Sequence, residues 1–521
     1  MSIRYTCVPA LPKLSWLAKI DADGQLVVFH GRAVECHADW MVEGVWDSDF
    51  SDGMFHRSEH FFGSGIRQWE DRIYFVCAST TQDRLLLCRD GDTTLVSNSL
   101  PLLLGHTGAR LDPDHPYVDE AIGATTTGVR NYKRDFRIIH PRITSFQQVF
   151  YENIIYDHGK ISFEARGKQH RISSYEGYLA MLTDILSRVR ANYEDSKRRF
   201  AMKGLGTISA GYDSPAICAL LRKIGITRCY TSRRSNSILP DFFRKRAIDD
   251  GTPIANILGL SVEYLLPPAE VSADEIYFLA VACRQNQGSL TCELIYDSLG
   301  RQLEQEETVG VVFNGNHGDS VWEAHPPAKA MTDQVIRGDQ TGMSLMETRL
   351  KHGYVNIALP CILASNICEI AMISRSAEMA PWRIGGSYDR PIPRRILETS
   401  GVPRGMFATK KRAMVSFYSC PKNQELRKRF FNHLRLDRGL GRGEIVVHRI
   451  QGSVSRFWSR VIQICGGFRD PGKTIVGRNL DFPFSTWVWA THTLSAEMAS
   501  HLQPHASQPV SLPSSPTQPC P

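Results

Sequence analysis

The chain has 13 cysteines but no Cys-x-x-Cys pair, and Cys36-His37 is its only close Cys/His pair. Paired spacing is what a structural zinc site needs, so none is expected. Cys77, Cys88, Cys218 and Cys368 sit in apolar runs and read as small buried hydrophobes of a reducing cytosol. Long hydrophobic runs are also missing. The most apolar stretch, Tyr354 to Ile373, contains Pro360, Asn366 and Glu369, and its periodic part is shorter than a bilayer span. It reads as a buried helix. No signal-peptide layout is present, because Arg4 and Lys13 punctuate the N-terminus and no long apolar stretch follows. Charge of one sign is not concentrated: 61 Lys and Arg stand against 54 Asp and Glu, for a net charge of +7 spread over 521 residues. Such a balance suits phosphate ligands or simple solubility and makes no case for nucleic acid. The expectation is a cytoplasmic protein with neither a membrane nor a nucleic acid as partner.

What is present is ordinary for a large soluble protein, with 42% hydrophobic and 22% charged residues. The length suits two or three domains. Residues 1–170 read as strands and turns. Leu26–Phe29, Ile73–Val76, Arg84–Leu87 and Thr94–Val96 are short apolar runs, and Asp90-Gly91 marks a hairpin between the last two. Asp157-His158-Gly159 marks another, flanked by Ile154–Tyr156 and Lys160–Phe163. An antiparallel sheet domain is expected there.

Beyond it the pattern changes to helices alternating with parallel-type strands. Tyr178, Leu182, Ile185, Leu186, Val189 and Tyr193 repeat at helical spacing within Tyr175 to Phe200, and Lys197-Arg198-Arg199 reads as a solvated last turn. Val309–Phe313 is the continuous apolar run of a central parallel strand. Ile362 to Met379 reads as a helix. From Gln503 the chain is rich in Pro, Ser and Gln and is expected to be disordered. The expected domains are therefore 1–170, 171–495 and a tail, 496–521.

The organising stretch is Ser209-Ala210-Gly211-Tyr212-Asp213-Ser214, between the strand-like Gly204–Ile208 and the helix-like Pro215–Leu221. Pro215 suits a first helical turn, where its missing N–H has no partner to lose. Gly211 has no Cβ to block a ligand. Backbone N–H groups and a helix N-terminus converge there, as phosphate requires. Ser209 and Ser214 add hydroxyls, and Asp213 can hold a divalent cation. The Gly-Lys-Ser/Thr ending of a Walker loop is absent.

These six residues resemble the pyrophosphate loop, Ser-Gly-Gly-x-Asp-Ser, of the asparagine synthetase family and related ATP pyrophosphatases. Ala210 stands where the family has its first Gly, so its φ is either ordinary or strained. Asn314-Gly315-Asn316-His317-Gly318-Asp319-Ser320 resembles the family's second Gly-rich signature. Gly315, Gly318 and Asp319 match, His317 replaces a glycine, and Ser320 replaces an acid. Asp249-Asp250-Gly251-Thr252 resembles the acidic residue before the family's next helix, and Tyr230 to Ser232 hold the position of its adenine contacts. Ser387 to Arg395, Pro403-Arg404 and Lys410-Lys411 resemble the run that ends in the family's catalytic lysine, and either lysine fits.

The fold implied is α/β: a glutaminase-like antiparallel domain, then a parallel-sheet synthetase domain of the adenine nucleotide alpha hydrolase (PP-loop) type. The resemblance further implies an AMP-forming amide ligase using ATP and Mg²⁺. Ser209, Ala210, Gly211, Asp213, Ser214, Gly315 and Gly318 would bind the nucleotide, and Asp213 with Asp319 the metal. Its partners would be a small-molecule or peptide carboxylate and an amine, and a homodimer stays open. The family's glutaminase nucleophile is a cysteine exposed by loss of Met. Here Ser2 follows Met1 and Cys7 is internal, so glutamine hydrolysis is not expected. Two other readings stay open: a non-catalytic nucleotide-binding scaffold, and adenylation of RNA, for which no RNA-binding appendage is found.

Overall fold

Apolar alternation in the first third of the chain produces two sheets packed face to face. The first runs in the order β1 (Ile3–Cys7), β3 (Leu26–His30), β2 (Trp16–Ile20), β9 (Thr93–Ser97), β8 (Leu85–Asp90), β11 (Ser145–Val149) and β10 (Asp135–Arg137). The second runs β13 (Lys160–Ala165), β12 (Glu152–Asp157), β7 (Arg72–Val76), β6 (Phe61–Trp69), β5 (Trp40–Trp46) and β4 (Glu35–Cys36). All pairings are antiparallel except β1 with β3. Both expected hairpins form, with Gly91 and Gly159 at positive φ in their turns. Inward residues such as Trp16, Val28, Ile66, Phe75 and Ile154 interleave between the sheets as their core. This is a computed structural model, describing residues 3–117, 120, 124–166, 170–232, 249–265, 270–281, 290–336, 346–386, 388–409, 420–447, 450 and 482–506.

The helix Tyr175–Tyr193 follows, capped by the Ser174 hydroxyl, with all six periodic residues buried. It stops at Tyr193, short of Phe200. Arg198 is not solvated: it donates to the carbonyls of Asn192 and Gly44 and lies over Phe50, 4.3 Å from the ring centroid. A turn after Asp195 takes the backbone off the helical path and lays this arginine on the sandwich.

Behind that helix lies a parallel sheet in the order β16 (Ser261–Tyr264), β15 (Arg228–Thr231), β14 (Met202–Thr207), β17 (Val309–Asn314) and β18 (Tyr354–Ala358). The chain thus folds as mixed α/β with antiparallel and parallel sheets. β18 corrects the expected helix over Tyr354 to Ile373. Val355 and Ile357 are β-branched, the apolar run is only strand-long, and Pro360 follows, so the helix begins at Ile367 and ends at Arg375. Cys77, Cys88 and Cys218 are buried as expected, and Cys368 is half-buried.

Buried carboxylates are among the contacts that join the halves. Arg349 donates to Glu43 on β5 (2.7 and 3.1 Å) and to Asp83 (2.7 Å), all of them buried. Glu347 accepts from the Ser99 hydroxyl (2.8 Å) and the Leu100 amide (3.1 Å), capping the helix Leu100–Thr107 from the other half. The helix Phe482–Ala506 then packs on Leu100–Thr107, and a Cβ at Gly105 would lie 2.5 Å from the Ser495 carbonyl. That helix runs through the expected boundary at 495, so residues 496–506 are not a disordered tail. Its apolar face, with Trp487, Leu494 and Met498 buried against Leu102–Leu104, outweighs the weak local signal. Among the described residues, no helix is long and apolar enough to cross a membrane.

Candidate functional site

The sheet order reverses between β14 and β17. The connections from β14 to β15 and β16 run one way, and those to β17 and β18 lie on the other side. Loops leaving two such strands open a crevice at their carboxyl ends, where open α/β sheets bind ligands. The loop at 209–214 leaves β14 and the loop at 315–318 leaves β17.

The first loop is tied by short bonds. Ser209 Oγ lies 2.9 Å from Ser214 Oγ and accepts from the Gly211 amide at 3.2 Å. The Ala210 amide donates to Asp249 Oδ1 (3.1 Å), and the Ala210 carbonyl accepts from the Ala408 amide (2.8 Å). Neither Ala210 nor Gly211 has a positive φ, so the alanine is unstrained. A Cβ at Gly211 would meet only Ser209 Oγ, at 3.3 Å. Its bareness therefore matters toward the crevice and not toward the protein. The helix starts at Asp213 without a side-chain cap, which places Pro215 third rather than first, still within the turn where its N–H is dispensable.

The second loop lies directly on the first. A Cβ at Gly315 would fall 2.8 Å from the Asp213 Cβ, and one at Gly318 only 2.4 Å from the Asp213 Cγ. Both glycines are thus required by loop-to-loop contact, a packing role that precedes any ligand. Between them His317 adopts φ 72°, a left-handed conformation that glycine would take without cost. Asp319 follows in the first turn of the short helix Gly318–Val321 and is exposed.

Sequence reasoning missed the positive half of this site. Arg390, 3% exposed, forms a charged hydrogen bond with Asp213, and its Nε lies 3.8 Å from Glu323. Burial works against the Arg390 charge, but the Asp213 carboxylate, with Asp319 beyond it, more than offsets this and holds its pKa above the usual value. Burial also raises the Glu323 carboxyl, against Arg390. Arg394, one turn along the helix Pro391–Thr399, donates to the Tyr212 hydroxyl. Tyr212, Tyr388 and Phe407 form an aromatic wall, with ring centroids 4.8 and 5.9 Å from Tyr212. The signal available was Arg390-x-x-x-Arg394, two cations on one helical face.

The remaining expected residues divide. Tyr230 packs into the core with Leu205 and Leu299 and does not face a ligand. Thr231 accepts from the Gly251 amide at 3.0 Å. Asp250 caps Thr252 and accepts from Tyr264 (3.2 Å). Lys410 and Lys411 lie outside the described residues, as do Met1 and Ser2, but the segment entering the lysines is fixed to the loop by the Ala408–Ala210 bond. For Mg²⁺ the donors fit by type: Asp213, Asp319 and Glu323 are hard oxygen ligands gathered around one guanidinium. A metal taking Asp213 would have to displace Arg390 from it.

Among known proteins, the chain matches no family model and no curated sequence.

Proposed function

We propose that the chain is an ATP-dependent, AMP-forming amide ligase of the asparagine-synthetase kind, with the loop at 209–214 as its pyrophosphate loop. The observation carrying this reading is the seating of Gly315 and Gly318 on Asp213 at the point where the parallel sheet reverses. Two motifs about a hundred positions apart meet where nucleotide phosphates bind in such sheets.

In this reading the uncapped helix start and the loop amides beyond Gly211 hold the β- and γ-phosphates, with the Ser209 and Ser214 hydroxyls beside them. Asp213 and Asp319 would hold Mg²⁺, which when bound neutralises charge on the phosphate oxygens. A substrate carboxylate oxygen attacks the α-phosphorus, the Pα–O–Pβ bond breaks, and pyrophosphate leaves. An amine then attacks the acyl carbon, AMP departs with the bonding electrons, and the amine loses its proton. Arg390 and Arg394 lie behind the loop as fixed cations, and Lys410 or Lys411 supplies the charge at the reacting phosphate. The substrates are a small-molecule or peptide carboxylate and an amine. The sandwich corresponds to a glutaminase-like domain without glutamine hydrolysis, and a homodimeric assembly belongs to the same reading.

A non-catalytic nucleotide-binding scaffold is the second reading, favoured by the Arg390–Asp213 pair, which already places a cation on the expected metal ligand. ATP–pyrophosphate exchange separates the two. Exchange driven by a member of a carboxylic-acid panel and lost in Asp213→Ala supports the ligase. Nucleotide binding with no exchange across the panel supports the scaffold.

A further inference from the structure

We propose that Glu59, His60 and His170 form a binding site for one divalent transition cation, Zn²⁺ in the first instance, at the seam between the sandwich and the second half. One ligand atom from each lies within 4.8 Å of the other two. Glu59 and His60 sit on the segment that enters β6. His170 sits 111 positions beyond Glu59, just ahead of the helix Tyr175–Tyr193, and its Nε2 is hydrogen-bonded to Glu59 Oε1. The two imidazoles lie nearly parallel, with centroids 6.2 Å apart and planes 25° apart.

His60 is 5% exposed, so its imidazole is held within the protein beside Glu59 and His170. A cation would use the lone pair of one nitrogen here.

The backbone beneath the three side chains is already fixed. Asp47 accepts from the His60 amide (3.2 Å) and from the Ser58 hydroxyl. Asn366, fully buried in the second half, grips His170 from both sides: its Oδ1 accepts from the His170 amide (3.3 Å) and its Nδ2 donates to the His170 carbonyl (2.5 Å). Outer contacts of this kind hold metal ligands in place.

Two imidazoles and one carboxylate favour Zn²⁺ or a similar cation over Mg²⁺ or Ca²⁺, and leave a position for water. Ligand atoms around tetrahedral Zn²⁺ are about 3.3 Å apart, against at most 4.8 Å between the three here. The Cys/His spacing rule could not find this site, because it draws on no cysteine.

Full-length protein, stripped with chelator and dialysed against Zn²⁺, is expected to retain one ion per chain, with affinity reduced at least about tenfold in His60→Ala and in His170→Asn. The second variant keeps the backbone contacts to Asn366. Co²⁺ should give visible d–d absorption in the parent chain and lose it in both variants. X-ray absorption on the Zn²⁺-loaded parent, which depends on no variant, should show two imidazole ligands. Retention of no more Zn²⁺ by the parent than by His60→Ala and His170→Asn, or a zinc coordination shell without two imidazoles, overturns the proposal.

Discussion

Replacing Arg349 with Met tests whether the seam between the halves is held electrostatically. Methionine fills comparable volume but brings no charge. Arg349 is 1% exposed and makes three hydrogen bonds to two carboxylates, at 2.7, 3.1 and 2.7 Å. Burial opposes its charge, but Asp83 and Glu43 outweigh burial and raise its pKa. Without it, Glu43 keeps only the Ser64 hydroxyl (2.5 Å) and the Asn98 amide (3.2 Å), and Asp83 loses its cation. Breaking a buried pair from one side costs about 3–5 kcal/mol, because the partner is left charged and dry. Against a total of roughly 5–15 kcal/mol this is a large fraction.

The pH dependence follows. Burial already raises the Glu43 carboxyl in the intact seam, and loss of Arg349 raises it further. The folded variant then holds a proton that the unfolded chain releases above its ordinary carboxyl pKa. Stability is retained below that pKa and lost as pH rises, so the deficit is larger at about pH 8 than at about pH 5. Urea unfolding of parent and variant at both pH values, followed by two probes because the halves need not unfold together, measures it. Glu43→Gln/Asp83→Asn/Arg349→Met should recover most of the loss. A deficit below about 1 kcal/mol at the higher pH, or one independent of pH, would refute the reasoning.

Burial pushes the Glu347 carboxyl up to about 7, above its ordinary 4.5, so its contribution is full below the unfolded pKa and lost as pH rises toward 7. Glu347→Gln should remove this slope, on the order of 3 kcal/mol, leaving the variant the more stable above about pH 7; equal slopes in urea titrations would contradict it. Gly318→Ala should abolish nucleotide binding, because its Cβ would sit 2.4 Å from the Asp213 Cγ. Gly405→Ala, with nothing within 4 Å, should leave calorimetric binding unchanged.

Much of the fold was legible because its signals are local. Hairpins announce themselves through Asp90-Gly91 and His158-Gly159, and the helix Tyr175–Tyr193 through its period. The loop at 209–214 was legible as a motif. What escaped depends on distant partners. Tyr354–Ala358 pairs with β17 as a strand, and its local signals, β-branched Val355 and Ile357 with Pro360 following, are weak beside the length of the apolar segment that contains it. Arg390 is a site residue only because helix Pro391–Thr399 places it on Asp213, 177 positions away. Tyr230 had the expected position, but strand alternation turned its ring to the core. The Glu59–His60–His170 cluster is assembled by the seam, and no short pattern contains it.

The pairing of Leu100–Thr107 with Phe482–Ala506 has a consequence for synthesis. The Leu111 amide takes its acceptor from His492, 381 positions later, and Leu102, Leu103 and Leu104 are covered by residues from the same late helix. At about 5–20 residues per second, the ribosome makes that cover roughly 20–80 seconds after the leucines emerge. Through that interval the nascent sandwich presents a sticky face whose proper lid has not yet been translated. The last helix therefore acts as a clock on maturation, and a chain stopped before residue 482 would be an unfinished surface rather than a shorter protein.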